Sequence, residues 1–247
     1  MLLRPIRLVL LDIDGVLTKG EAKALDLDLL AALAALNRAA RADATRPAAT
    51  LCTGRPAPYV EVLAQAIDGH LPCVFENGCG LYEPRGYRFL PHPKLAGEKT
   101  FNLVRERLRA GLVETGKVFF QPGKEYSLSL FPLGGVQVAD LSGLAEAALG
   151  PLAGSVSLVY SGSCLNVIPQ GVDKGAGMEF LCERSGYAPE EILGVGDSDV
   201  DLPFLALAGR SAAPANAFEQ VKAGVDYVSE HATADGVRDI LRRFGVV

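Results

Sequence analysis

Two short acidic runs dominate the chemistry this sequence offers. Asp12-Ile13-Asp14-Gly15 follows the apolar run Arg7-Leu-Val-Leu-Leu11, and Gly196-Asp197-Ser198-Asp199-Val200-Asp201 follows Ile192–Val195. A continuous apolar run of this length reads as a strand buried on both faces. In an open α/β sheet, ligands gather outside the carboxyl ends of such strands. Like charges 4 Å apart repel by about 4 kcal/mol at an effective dielectric near 20, so converging carboxylates call for a cation. An oxygen-only donor set favours magnesium over zinc. Thr53-Gly54 ends a second apolar run and offers a hydroxyl beside free backbone N–H groups. Lys174, opening a helix behind Asp173, adds a point charge next to more backbone donors. Singly these are ordinary: a loop-starting Asp pair, a Thr-Gly turn, a surface lysine. Their order along alternating units is what points to a phosphate and a divalent cation.

The elements that must position these residues alternate. Ile6–Leu11, Ala48–Cys52, Pro72–Phe75, Glu191–Val195, Gly209–Ala212 and Val225–Val228 read as short strands. Helical spacing marks Leu29 to Ala40, Val60 to Ile67, Lys174 to Arg184, Asp201 to Leu207 and a last helix from Asp235. Strands alternating with helices predict an α/β fold with a Rossmann-like, doubly wound parallel sheet. The middle differs. Helices at Glu98–Ala110 and Leu141–Leu149 flank strands at Val118–Gln121, Tyr126–Phe131, Val156–Tyr160 and Leu165–Ile168, with turns at Pro122-Gly-Lys124 and Ser161-Gly-Ser163. That pattern predicts an antiparallel α+β insertion. The expected division is a discontinuous core, residues 1–90 and 168–247, and an inserted cap, residues 91–167.

Composition narrows the function classes. Of 247 residues, 49% are hydrophobic, which supplies a core and excludes disorder. A formal net charge of -5 leaves no basic footprint for nucleic acid or an anionic membrane surface. No apolar run approaches the roughly 18–20 residues that span a bilayer, and Ile6–Leu11 is too short for a signal-peptide core. Five cysteines without a CxxC pair read as free thiols of a cytoplasmic protein.

The ordered set resembles the haloacid dehalogenase superfamily. Its four motifs correspond to Asp12-Ile13-Asp14-Gly15, Thr53-Gly54-Arg55, Lys174 within Gly171-Val-Asp-Lys-Gly-Ala176, and Gly196-Asp197-Ser198 with Asp201. Asn77-Gly78 after the third strand, and a cap between the second and third motifs, are similar to the sugar-phosphatase branch with an α/β (type IIB) cap. That branch includes phosphoglycolate, sucrose-phosphate and mannosyl-3-phosphoglycerate phosphatases. The resemblance implies a small phosphomonoester substrate and Mg2+, with Asp12 as nucleophile and Asp14 protonating the leaving oxygen before activating water. It implies further that Thr53, Gly54, Arg55, Asn77 and Lys174 bind phosphate or substrate. Asp12, the Asp14 carbonyl and Asp197 would bind metal, with Asp201 completing or orienting that shell. Two positions depart from the family pattern: Val16 stands where Thr is common, and Val200 where Asn is.

Two other classes share these parts. A phosphomutase must retain a bisphosphate intermediate, and no additional phosphate clamp is evident. A receiver-type module binds phosphate on aspartate without needing Asp14 or an insertion. Gly194-Val-Gly196 lacks the third glycine of a dinucleotide fingerprint, and its neighbouring acids would repel a pyrophosphate.

Overall fold

The computed structural model describes residues 4–95 and 100–247. In chain order the elements are β1 (Leu8–Leu11), α1 (Leu27–Ala42), β2 (Ala48–Leu51), α2 (Ala57–Ala66), β3 (Cys73–Phe75), β4 (Gly80–Glu83) and β5 (Arg88–Pro91). There follow α3 (Thr100–Leu108), β6 (Val118–Phe120), β7 (Leu128–Pro132), α4 (Leu141–Leu149), β8 (Val156–Ser161) and β9 (Cys164–Pro169). The chain ends with α5 (Lys174–Ser185), β10 (Ile192–Val195), α6 (Leu202–Leu207), β11 (Arg210–Ala213), α7 (Glu219–Gly224), β12 (Tyr227–Val228) and α8 (Thr233–Arg243).

Five strands form a parallel sheet in the order β12-β11-β10-β1-β2. Alternation along β1 divides the core between the two faces. Val9 and Leu11 pack with residues of α1, α2 and α8, whereas Leu8 and Leu10 pack with residues of α5, α6 and α7. This is the doubly wound arrangement, and β1 at its centre carries Asp12 out of its carboxyl end.

The third strand departs from the expected sheet. Beyond a single parallel bridge, Cys52 to Val74, β3 pairs antiparallel with β4, and β4 with β5. The β4–β5 hairpin, which periodicity did not mark, turns through Pro84-Arg-Gly-Tyr87. The short helix α7 was likewise unmarked. The helix expected from Glu98 is described from Thr100; Glu98 and Lys99 lie outside the described residues.

The inserted segment is a four-stranded antiparallel sheet, β6-β7-β9-β8. Its strands alternate strictly. Leu128 and Leu130 of β7 and Leu165 and Val167 of β9 join Val104 and Leu108 of α3 and Leu141, Ala145 and Leu149 of α4 in a separate hydrophobic cluster. The intervening Ser129, Phe131 and Asn166 face away from those helices and line a cavity shared with the ends of the parallel strands. A helical layer on one face and a polar cavity on the other make this insertion an α+β cap. Among the described residues, no helix is long and apolar enough to cross a membrane. All five cysteines are free, four of them buried.

Candidate active site

The loop after β1 begins the site. Asp12 is buried, and its amide joins the sheet through Val195 O at 3.0 Å, so its position is fixed by strand pairing. The chain then turns through Ile13, whose carbonyl accepts from the amides of Val16, Leu17 and Thr18. Gly15 adopts φ +83°, and a Cβ there would lie 1.9 Å from Asp197 Oδ2; only glycine permits the two acidic loops to approach this closely. Val16 is fully buried in the core, so the hydroxyl common at this position is replaced by apolar packing.

Lys174 is the electrostatic centre. Asp173 caps α5 by accepting from Ala176 N at 2.8 Å, which sets Lys174 as the first helical residue. Its ammonium, fully buried, donates to Asp12 Oδ1 at 2.8 Å and to Asp201 Oδ1 at 2.5 Å. Burial disfavours that charge, but Asp12 and Asp201 outweigh it and hold the lysine protonated above its ordinary range. Burial also pushes Asp12 up to about 7 against the pull of Lys174. Asp197 rises to about 9, through burial first and then repulsion from Asp12 and Asp201.

Carboxylate oxygens of Asp12, Asp197 and Asp201 lie within 4.8 Å of one another. Asp201 is already engaged: Oδ2 accepts from the amides of Asp197 and Ser198 and from Ser198 Oγ, while Oδ1 accepts from Lys174. By contrast, Asp197 Oδ1 is buried without a hydrogen-bond partner among the described residues. An orphaned carboxylate oxygen, crowded by another carboxylate and surrounded by oxygen donors alone, suits a hard divalent cation. The residues present therefore fit the metal that the acidic runs called for.

The remaining expected residues reach the same cavity by different routes. Thr53, Gly54, Arg55 and Asn77 all line it, together with Asp14. The Thr53 hydroxyl accepts from Arg55 N at 3.1 Å. Arg55 is committed elsewhere than to free space: its guanidinium forks onto Asp14, with Nε and Nη2 each 2.6 Å from a carboxylate oxygen, and lies over the Tyr59 ring. Asn77 is buried at φ +56°, and neither of its side-chain polar atoms has a hydrogen-bond partner among the described residues. Of the departures noted above, Val200 lines the cavity while offering no polar atom.

Two residues escaped the sequence reading. Asn216, after β11, donates from Nδ2 to Gly15 O at 2.9 Å and accepts from Thr233 N at 2.8 Å, tying the loop after β1 to α8. Its place after a parallel strand was the available signal. Glu76, fully buried at φ +50°, accepts from the amides of Glu125, Tyr126 and Ser127 and from Ser127 Oγ, at 2.7–2.9 Å. It fastens the β6–β7 turn of the cap to the core, and no local pattern announces it.

A parallel sheet carries acids and a buried lysine at its carboxyl edge, and the antiparallel insertion contributes to the same cavity. A family model described as haloacid dehalogenase-like hydrolase matches residues 145–241. Over 244 residues the chain is 28% identical to a phosphoglycolate phosphatase of Thermoplasma volcanium, covering 98% of this chain and 100% of that one. It is 29% identical to another from Methanopyrus kandleri, covering 96% of each. Among solved structures, a Thermoplasma acidophilum protein superposes with a TM-score of 0.77 at 23% identity, covering 99% of this chain and 100% of that one. A haloacid dehalogenase-like hydrolase from Bacteroides thetaiotaomicron gives 0.71 at 19%, covering 96% and 99%. The chain is thus similar over residues 145–241 to haloacid dehalogenase-like hydrolases, and over nearly its whole length to phosphoglycolate phosphatases.

Proposed function

We propose that the chain is a magnesium-dependent phosphatase that hydrolyses a small phosphorylated metabolite through an aspartyl-phosphate on Asp12. The observation that carries this reading is the fixed contact of Lys174 Nζ with Asp12 Oδ1, with Thr53 and Asp14 lining the same cavity. Asp12 attacks phosphorus in line with the ester oxygen. Lys174 and Thr53 hold the non-bridging oxygens, and the charge of Lys174 favours the transition state more than the ground state. Asp14, held by the Arg55 fork in the free protein, exchanges one of those contacts for a proton when substrate binds, gives that proton to the departing oxygen and then takes one from the water that cleaves the aspartyl-phosphate. Asp12, the Asp14 carbonyl and Asp197 would hold magnesium, which supplies charge neutralisation and orientation of the phosphoryl group. Asp201 orients that shell, consistent with both of its oxygens being engaged by protein donors.

We read residues 91–167 as the cap and 1–90 with 168–247 as the catalytic core. The cavity, about 240 Å³ and shared between the parallel sheet and the insertion, suits a metabolite better than a folded phosphoprotein. The names of the relatives make phosphoglycolate the first candidate, with sugar phosphates next. The test is phosphate release from phosphoglycolate, hexose phosphates, nucleoside monophosphates and a phosphopeptide, with magnesium and after chelation. Turnover of the first two classes that chelation abolishes is expected. A tenfold preference for either of the last two, or undiminished turnover after exhaustive chelation, would contradict the reading.

A further inference from the structure

Among the described residues four cations line the cavity, and three are accounted for. Lys174 is paired with Asp12 and Asp201, Arg55 forks onto Asp14, and Lys19 is exposed at the rim. The fourth, Lys124, is buried in the turn between β6 and β7. Its ammonium donates to Ser129 Oγ at 2.5 Å, and that hydroxyl donates to Asn166 Oδ1 at 2.7 Å. Among the described residues Lys124 has no carboxylate at ion-pair distance. Burial pushes its pKa below the usual lysine range, with Glu76 opposing only through space.

A buried charge without a partner is costly unless something pairs with it. The fold has taken pains to keep this one in place. Glu76 of the core grips the three amides that follow Lys124, so the turn cannot swing outward without breaking those bonds. Ser129 and Asn166 are directly opposite each other on β7 and β9, on the sheet face turned away from the cap helices. An ammonium has three donors, and Ser129 uses one. What remains points to an acceptor of negative charge.

We propose that Lys124, backed by Ser129 and Asn166, binds a carboxylate on the leaving portion of the substrate and so selects acidic phosphomonoesters over neutral ones. The inference rests on the phosphatase reading above, in which the phosphoryl group sits at Asp12. It assigns the other end of the substrate. Sugar hydroxyls would satisfy the donors and leave the charge unpaired.

The experiment compares 2-phosphoglycolate with ethyl phosphate, a two-carbon ester without the carboxylate, in the full-length protein with magnesium. Wild type is expected to prefer phosphoglycolate in kcat/KM by tenfold or more. Lys124→Met should reduce that preference about ten- to a hundredfold, chiefly through KM for phosphoglycolate, the range expected for one charge-assisted contact. Asn166→Asp retains the hydroxyl contact and supplies a competing carboxylate, so it should reduce the preference in the same direction if Lys124→Met does not fold. A preference unmoved by the variant that folds, or equal losses on both esters, overturns the proposal, as does a wild type that favours ethyl phosphate. Cleavage of ethyl phosphate with no such discrimination defeats this inference alone. Failure of wild type to cleave either ester or p-nitrophenyl phosphate defeats the phosphatase reading as well.

Discussion

Replacing Glu76 with Gln should weaken the attachment of cap to core by an amount the structure allows to be worked out. Glu76 Oε2 accepts from Tyr126 N, Ser127 N and Ser127 Oγ, and Oε1 accepts from Glu125 N. Gln is nearly isosteric and tolerates the backbone at φ +50° about as Glu does. Its best orientation places the remaining oxygen at the Oε2 position, which keeps three bonds but strips them of charge assistance. The amide N–H2 then confronts Glu125 N–H, donor against donor. One unsatisfied donor costs about 1–3 kcal/mol, and neutral acceptors lose roughly 1 kcal/mol per bond against a charged one. The sum is about 4–6 kcal/mol, a large share of the ~5–15 kcal/mol that stabilises a typical domain. Urea unfolding followed by circular dichroism reads this as a lower midpoint, by about 1–2 M at a typical slope. Hydrogen exchange at the amides of residues 125–127 should accelerate in parallel. A stability change below about 1 kcal/mol, with exchange at those amides unaltered, would refute the latch.

Three further outcomes follow from the site geometry. Gly15→Ala should destabilise the protein by about 2–4 kcal/mol and cut phosphate release severely, because a Cβ would strike Asp197 Oδ2 from a left-handed backbone; a wild-type melting curve would contradict this. Lys174→Met leaves Asp12 and Asp201 facing each other unpaired, so it should cost about 3–5 kcal/mol without metal and lower kcat/KM by at least about a hundredfold; unchanged kinetics would reduce Lys174 to a structural lysine. Magnesium added to metal-free protein should raise the melting midpoint, by the equivalent of about 2.7 kcal/mol at a hundred times its Kd, and Asp197→Asn should abolish the shift; an equal shift in the variant would move the metal elsewhere.

Much of the catalytic edge was legible because its residues sit where strands end. Apolar runs fixed β1, β2 and β10; Asp12 follows β1 directly, and Thr53 and Asp197 lie one residue further on, after Cys52 and Gly196. Helix α5 was readable from its cap, and Lys174 came with it. The departures arise where a partner lies far away in sequence. Phe75 leads into two consecutive left-handed residues, Glu76 and Asn77, which turn the chain out of the parallel sheet into the β4–β5 hairpin. Nothing in Glu-Asn-Gly reveals that a carboxylate is buried against amides some fifty positions on. Lys124 was one of several cap cations in the sequence; its burial depends on Ser129 and Asn166 meeting across β7 and β9, which pairing register decides. The turn before β7 spans residues 121–127, longer than Pro122-Gly-Lys124 suggested, because Glu76 and not a local turn type holds it.

The central claim is that the phosphoryl group passes through Asp12. Rapid acid quenching during turnover, followed by peptide mass spectrometry, tests it most directly. A peptide containing Asp12 should carry one phosphoryl group within the first turnover, and that species should vanish when substrate is exhausted and be absent from Asp12→Asn, whose turnover should fall about a thousandfold or more. Phosphoryl transfer to another residue, or an Asp12→Asn variant that keeps a tenth of wild-type turnover, would contradict it.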